Sequence, residues 1–163
     1  MLITTAINPP QGVFVLKMTN VATRKITSKA AVLLWAASGV KKIVIADATG
    51  ETLLDQSEVV LINQMGVAVE QIHYLQNNDL IVRKGKGYGE GALIKFAIQN
   101  SQFLNSAHNF FKCTGKVYCR NFTDLFNMIE QNNIQNIFWR DVFKNEIDTR
   151  FFYTSTEFAK KFL

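Results

Sequence analysis

The sequence is poor in the residues that interrupt or cross-link a chain. Its 163 residues include two prolines, two cysteines and two histidines. So few prolines argue against several domains joined by Pro-rich linkers. If the chain is extended between Cys113 and Cys119, the two residues lie roughly 20 Å apart, too far for a disulfide, which predicts free thiols and a reducing compartment. With no C-x-x-C pattern and only two histidines, a structural zinc site is not expected.

Long apolar runs are also missing. No window approaches the ~18 consecutive apolar residues of a membrane span. The first six residues, Met-Leu-Ile-Thr-Thr-Ala, lack the basic region and long apolar run of a secretory signal. At 48% hydrophobic and 19% charged residues, the composition is typical of a globular protein. We therefore expect one cytoplasmic domain over residues 1–163.

The positive charge is concentrated in one part of the chain. The formal net charge is +5, and the first 82 residues, with six basic and six acidic side chains, contribute none of it. Residues 83–120 contain seven Lys or Arg and a single acid, Glu90. This local excess predicts an anionic ligand but does not identify it.

Hydrophobic periodicity predicts alternating strands and helices. Apolar, β-branched runs indicate strands at residues 2–7, 41–47, 67–74, 109–114, 136–139 and 149–153. Helical spacing and capping signals indicate helices at residues 21–38, 55–66, 92–101, 121–131 and from 154 onward. This order is typical of an α/β fold with an open, mostly parallel sheet and helices on both faces. Ligands of such folds bind at the carboxyl ends of the strands.

A basic, glycine-rich segment at residues 84–91 is the most specific local pattern. We expect it to be a loop that enters a helix, with Gly87 and Gly89 fitting the loosest form of the dinucleotide fingerprint. Glycines allow a ligand close to the backbone, and the helix N-terminus attracts anions, to which Lys84 and Lys86 add charge. The alternative interpretation of the segment, a solvated basic turn, stays open. Glu90 either belongs to the ligand site or only complements the dipole of the predicted helix.

Four further features have a structural and a functional interpretation. Asp47 either contacts a ribose or base, or forms an Asx-turn. Lys112 and Lys116 either bind phosphate or protect an edge strand from aggregation. Asp148 and Arg150 form either a ligand contact or a surface ion pair. A cluster of aromatic residues is either core or a platform for a sugar: Phe138, Trp139, Phe143, Phe151, Phe152 and Tyr153.

In chain order, the segments resemble bacterial GT-A-type glycosyltransferases of capsule and lipopolysaccharide synthesis, over nearly the whole chain. The most specific parts are the Lys-Gly-x-Gly-x-Gly-Glu block that begins at Lys84 and the Lys-x-Thr-Gly-Lys block that begins at Lys112. The other parts are Thr4 to Pro9, Arg24 with Ser28, Lys42 to Asp47, Val69 to Ile72 and Asp148 to Phe152.

The resemblance implies a GT-A, Rossmann-like domain that transfers a sugar from a nucleotide-diphosphate donor to a glycan or lipid-linked glycan acceptor, at the inner face of the membrane. It places Thr5 and Ala6 at the base, Asp47 at the uracil or ribose, and Arg24 and Lys84 at the diphosphate. Glu90 and Asp148 are the candidates for the general base. The remaining donor-binding residues are Lys86, Gly87, Gly89, Lys112, Thr114, Gly115, Lys116 and Arg150.

Two departures from the family pattern bear on the reaction. The Thr114-Gly115-Lys116 segment lies where metal-dependent relatives carry Asp-x-Asp, so positive side chains are expected to stabilise the leaving diphosphate, although a carboxylate elsewhere could bind Mg²⁺ or Mn²⁺. The chain also ends soon after Asp148, where relatives continue into an acceptor-binding part, which we expect to be absent. A non-catalytic nucleotide-binding module and a small nucleic-acid-binding protein are the alternatives.

Overall fold

A computed structural model describes residues 1–9, 18, 20–141 and 146–162. Strands and helices alternate along most of the chain, as the periodicity predicts. The strands are β1 (Leu2–Thr5), β2 (Lys42–Asp47), β3 (Ala68–His73), β4 (Asn109–Thr114), β5 (Ile137–Asp141) and β6 (Glu146–Ser155). The helices are α1 (Val21–Ala37), α2 (Gln56–Gln64), α3 (Asn78–Lys84), α4 (Lys86–Asn100), α5 (Gln102–Asn105), α6 (Phe122–Asn132) and α7 (Thr156–Phe162). None of these helices is long and apolar enough to span a membrane.

The six strands form one mixed sheet in the order β3-β2-β1-β4-β6-β5. Strands β3, β2, β1 and β4 are parallel, whereas β6 is antiparallel to both β4 and β5. The α/β class is therefore confirmed, but the parallel arrangement stops at β4. The connection between β5 and β6 has too few residues for the helical crossover that parallel neighbours require, so β6 runs antiparallel to β5.

Helices cover both faces of the sheet. On one face, Trp35 of α1 and Phe122 of α6 pack against alternate strand residues such as Ile3 and Ile45. On the other face, Leu93 and Ile98 of α4 pack against the residues between them in the strands. Strands β1, β2 and β4 are thus buried on both sides, which explains why β2 reads as a nearly continuous apolar run.

Residues 77–91 differ from the prediction of a turn followed by a glycine-rich loop. Asn77 caps α3 by accepting a hydrogen bond from the Leu80 N–H (3.1 Å). Gly85, at φ +85°, ends α3 and immediately precedes α4, so the glycines at 87, 89 and 91 belong to the first two turns of a helix. Tertiary packing of α4 outweighs the low helix propensity of glycine, because its apolar side chains fill the core on that face.

The aromatic cluster of the C-terminal part is mainly core. Phe151, Phe152 and Tyr153 are buried, and Phe138 packs against the Phe152 ring with 5.3 Å between centroids. Trp139 is 49% exposed, so the platform interpretation stays open for this ring. Phe143, which belonged to the predicted cluster, lies outside the described residues.

Both cysteines are free, as predicted. The assumption of an extended chain between them is wrong, because β4 ends at Thr114 and a turn follows. Cys113 is buried and its Sγ donates to the Val117 carbonyl at 2.9 Å. Burial raises the pKa of the Cys113 thiol to about 12, which favours a protonated, unreactive side chain.

Gly115 allows the exit of β4 to pass close to β1, and its replacement tests this packing. A Cβ at this position would lie 2.4 Å from Thr5 Cγ2 and 3.2 Å from the Thr4 carbonyl oxygen. We expect Gly115→Ala to lower the free energy of unfolding by about 1–3 kcal/mol, the usual cost of overpacking. Urea unfolding followed by circular dichroism measures the change.

Gly91→Ala is the matched control. A Cβ on Gly91 meets no atom within 4 Å, and the residue lies inside a helix. Alanine there should raise the free energy of unfolding by about 0.5–1 kcal/mol. Equal stability of the two variants would contradict the packing role of Gly115.

Candidate functional site

A cleft opens at the carboxyl edge of the sheet, between β1 and β4. From β1 the chain crosses to β2 on one side, and from β3 it crosses to β4 on the other, so the strand order reverses at this point. Reversal points of open α/β sheets are where such folds bind ligands. The cleft has a volume of about 200 Å³. Its lining residues are Thr4, Thr5, Ala6, Pro9, Arg24, Ala48, Gln76, Ile81, Lys86, Gly89, Glu90, Leu93 and Thr114.

A smaller cavity of about 40 Å³ adjoins the cleft on the α1 side. It shares Arg24 and Thr114 with the cleft and adds Ser28, Gly115 and Lys116. The carboxyl ends of β1 and β4 thus lie together with the start of α1. This is the arrangement expected for Thr5, Ala6, Arg24, Thr114, Gly115 and Lys116 from the sequence.

Three cations surround this double cavity. The Arg24 Nε donates to the Ala6 carbonyl at 2.6 Å and its Nη1 to the Met18 carbonyl at 2.7 Å, which fixes the guanidinium at the boundary of both cavities. Burial, together with the charges of Arg24 and Lys86, lowers the pKa of Lys116. The three side chains therefore raise one another's electrostatic energy, and a bound anion would relieve this repulsion.

Helix α4 begins at the same cleft. Its first residue is Lys86, and no described side chain forms a capping hydrogen bond with its first N–H groups. The positive end of the helix dipole adds to the positive potential of the three cations. The helix supplies this effect although the predicted loop does not form.

The glycines of this segment have different roles from those predicted. A Cβ on Gly89 would lie 2.4 Å from Ile81 Cδ1, so Gly89 allows close packing of α3 against α4. A Cβ on Gly87 meets no atom within 4 Å. Close approach of the backbone thus serves an internal contact at Gly89, and ligand binding by either glycine stays a prediction.

Glu90 lines the cleft and is the centre of a polar network. Its Oε1 accepts hydrogen bonds from Lys112 Nζ, from Thr4 Oγ1 (3.3 Å) and from Thr114 Oγ1 (3.3 Å). Its Oε2 accepts one from Thr149 Oγ1 (2.8 Å). The Glu90 side chain is 24% exposed, so this carboxylate reaches the cleft while α4, β1, β4 and β6 hold it in place.

Lys112 is fully buried below Glu90. Besides Glu90, its ammonium donates to the Thr149 carbonyl at 2.5 Å and to Thr114 Oγ1 at 3.2 Å, so its three protons are used within the chain. Burial lowers the pKa of Lys112, and the Glu90 carboxylate opposes this shift. A lysine in this state neutralises Glu90 and has no donor left for phosphate, in contrast to the donor-binding role predicted for it.

An irregularity in β6 brings Thr149 to this network. Phe138 of β5 pairs with Phe152, but the next residue, Trp139, pairs with Asp148, so residues 149–151 bulge away from β5. Bulges redirect side chains, and this one delivers both the hydroxyl and the carbonyl of Thr149 to the Glu90–Lys112 pair. The periodicity of the sequence contains no signal for it.

The Asp47 carboxylate is used inside the chain. Its Oδ2 accepts from Thr5 Oγ1 (2.7 Å) and the Ile7 N–H (2.9 Å), and its Oδ1 accepts from the Thr49 N–H (2.7 Å) and the Glu51 N–H (3.2 Å). The residue is 1% exposed. The Asx-turn interpretation describes this geometry, and Asp47 shapes the β1 and β2 exits without lining the cleft.

Other predicted residues lie outside the lining. Asp148 and Arg150 form the surface ion pair, with Nη2 of Arg150 2.5 Å from Asp148 Oδ2, and this pairing holds the pKa of Asp148 below its ordinary value. Lys84 lies over the ring of Tyr88, 4.5 Å from its centroid. No three His, Cys, Asp or Glu side chains of the described chain come together as a metal site.

Sequence reasoning missed the apolar wall of the cleft and the hydroxyl groups around Glu90. Ile81 and Leu93 form part of this wall, because α3 and α4 replace the expected loop. Thr4 and Thr149 contribute hydroxyl groups. A signal for Thr4 existed, since a threonine within an otherwise apolar buried strand needs a polar partner nearby.

Comparison with models of known protein families gives no match, and comparison with curated protein sequences gives no significant match.

The buried ion pair makes a direct stability prediction. Lys112→Met leaves the Glu90 carboxylate without its cation, and we expect the free energy of unfolding to fall by about 3–5 kcal/mol. The double variant Lys112→Met/Glu90→Gln should lose less than the Lys112→Met variant, because no uncompensated charge remains. Urea unfolding of the wild type and the two variants measures both losses.

Arg150→Met is the control for a superficial pair. Its guanidinium side chain is 74% exposed, so solvent screens the interaction with Asp148. The expected loss is below about 1 kcal/mol. Equal losses for Lys112→Met and Arg150→Met would contradict the central role of the buried pair.

Proposed function

We propose that this protein binds the diphosphate of a nucleotide sugar in the cleft between β1 and β4, as a GT-A-like glycosyltransferase. The observation that carries this proposal is the group of three cations, Arg24, Lys86 and Lys116, beside the N-terminus of α4. Positive side chains and a helix N-terminus together are a common phosphate-binding arrangement.

The shape of the cleft fits a ligand with an apolar or neutral part beside its anionic part. Ile81, Leu93 and Ala48 form an apolar wall, whereas the cations lie toward α1 and the start of α4. A base or sugar ring packed on this wall would leave the phosphates near the cations. The Glu90–Lys112 pair has no net charge and adds no attraction for phosphate, so its part of the cleft favours a neutral, hydroxyl-bearing group.

The resemblance implies glycosyl transfer, and the cleft contains candidate residues for the steps of that reaction. In glycosyl transfer the bond between the anomeric carbon and the diphosphate oxygen breaks, and a hydroxyl oxygen of the acceptor forms the new bond. Arg24, Lys86 and Lys116 are positioned to stabilise the negative charge that develops on the diphosphate. Glu90 is the better candidate than Asp148 for accepting the hydroxyl proton, because Glu90 lines the cleft.

A non-catalytic nucleotide-binding module is the second candidate. The observation that favours it is that both candidate carboxylates are engaged in ion pairs, Glu90 with Lys112 and Asp148 with Arg150. Carboxylate oxygens that already accept hydrogen bonds within the chain are less available to accept a proton from an acceptor hydroxyl. For the third alternative, a nucleic-acid-binding protein, Lys112 contributes nothing to a basic surface, because it is buried and paired with Glu90.

Binding is tested first with nucleoside diphosphates. We expect UDP, or another nucleoside diphosphate of a small panel, to raise the melting temperature, and Lys86→Ala or Lys116→Ala to weaken its affinity by about tenfold, the loss of one charge-assisted contact. Lys95→Ala, an exposed change on α4 away from the cleft lining, is the matched control and should bind like the wild type. No melting shift with any member of the panel would refute the proposal.

Catalysis is tested by release of the nucleoside diphosphate from nucleotide sugars. If Glu90 is the base, Glu90→Gln should lower the release rate by a factor of about 100 or more while UDP affinity remains. A coupled assay for free nucleoside diphosphate measures the rate, and calorimetry measures the affinity. Binding without release across a panel of donors and acceptors would favour the non-catalytic module.

A further inference from the structure

Helix α1 is apolar on two opposite sides. Its inward side buries Ala31, Val32, Trp35 and Ala36 in the core. Its outward side also carries apolar residues, with Ile26 67% exposed and Leu33 43% exposed. From Ala30 to Ala37 the helix contains no charged, hydroxyl or amide side chain. A surface helix normally presents polar residues to water, so an apolar outer side indicates a partner.

The exposed residues follow the spacing of a helix–helix seam. Ile26, Ala30, Leu33 and Ala37 are all exposed, and they are separated by four, three and four residues. This is the alternation of the d and a positions of a heptad, which packs one helix along another at a shallow angle. We call these four residues the α1 seam.

The sizes of the side chains in the α1 seam identify the partner. We propose that the α1 seam packs, antiparallel, against the α1 seam of a second copy of this chain. A twofold axis through the middle of the seam places Ile26 opposite Ala37 of the second copy and Leu33 opposite Ala30 of the second copy. Every large side chain thus meets a small one, and the same surface serves both copies, as a twofold interface requires.

The charges beside the α1 seam permit this contact. Lys29 flanks the seam, and its ammonium lies 2.5 Å from Glu58 Oε1 of α2, so each copy brings a neutralised pair to the interface. Leu34, on the other flank, is apolar and 48% exposed. Lys29 therefore adds no uncompensated charge to a contact with a second copy. A lipid surface is less well matched, because anionic membranes attract seams flanked by unpaired basic residues.

The neighbouring helices extend the apolar surface on both sides. Helix α2 is joined to α1 through the Lys29–Glu58 pair and exposes Val60 (44%) and Leu61 (54%). Helix α6 contacts α1 through the rings of Phe122 and Trp35, 5.0 Å apart, and exposes Phe126 (43%). An interface centred on α1 thus has apolar residues on both flanks, as a stable dimer requires.

The mass of the full chain in solution tests this assembly. Sedimentation equilibrium over a wide concentration range should give a dimer for the wild type. Leu33→Glu should yield a monomer with an unchanged circular dichroism spectrum, since the residue is exposed in one copy and glutamate favours helices. Val82→Glu, at a residue of α3 that is 59% exposed, is the matched control and should remain a dimer.

A size exchange tests the antiparallel pairing itself. Leu33→Ala should raise the dissociation constant about tenfold or more, because it removes two buried leucines from the interface. In the double variant Ala30→Leu/Leu33→Ala, a leucine at position 30 again faces an alanine at position 33 of the second copy. This variant should therefore recover most of the affinity. Non-specific association of apolar surfaces would not produce this recovery. A monomeric wild type at all concentrations, or a dimer that survives Leu33→Glu, would overturn the proposal.

Discussion

The buried ion pair between Lys112 and Glu90 connects the two halves of the candidate site. It joins the last part of β4 to the second turn of α4, and through Thr149 it also holds the bulge of β6. A buried ammonium is costly unless every proton finds an acceptor, so the position of each of these elements depends on the others. The cleft floor is rigid for this reason, whereas its rim carries the cations.

The net charge of a sequence segment does not give the charge at the candidate site. The excess of basic residues in positions 83–120 appears in the sequence as a single feature. In the fold, Lys112 forms an ion pair with Glu90, and Lys84 lies over the ring of Tyr88. Lys86 and Lys116 line the two cavities. Arg24, from a segment with no net charge, completes the positive group. Proximity in space, set by parallel strands that end at one edge, decides which charges act together.

Much of the fold was predictable because local signals and burial agree. The strand at 41–47 and the capping box at Asp55 and Glu58 are both found, since each depends on neighbouring residues alone. The helical state of residues 86–91 was not predictable, because glycine opposes it locally and only packing on the sheet supplies the compensation. The burial of Lys112 had no local signal either, since it requires Glu90 from another element.

The position of β1 has a consequence for how the chain reaches its native state. This four-residue strand lies in the interior of the sheet, and one of its neighbours, β4, is about 110 residues away in sequence, as the Thr4–Thr114 pairing illustrates. During synthesis, β1 can pair with β2 early, but its other edge has no partner until β4 leaves the ribosome. Non-local pairings of this kind slow folding and leave an open strand edge exposed in the meantime. The candidate site, which straddles β1 and β4, thus cannot form before β4 is synthesised.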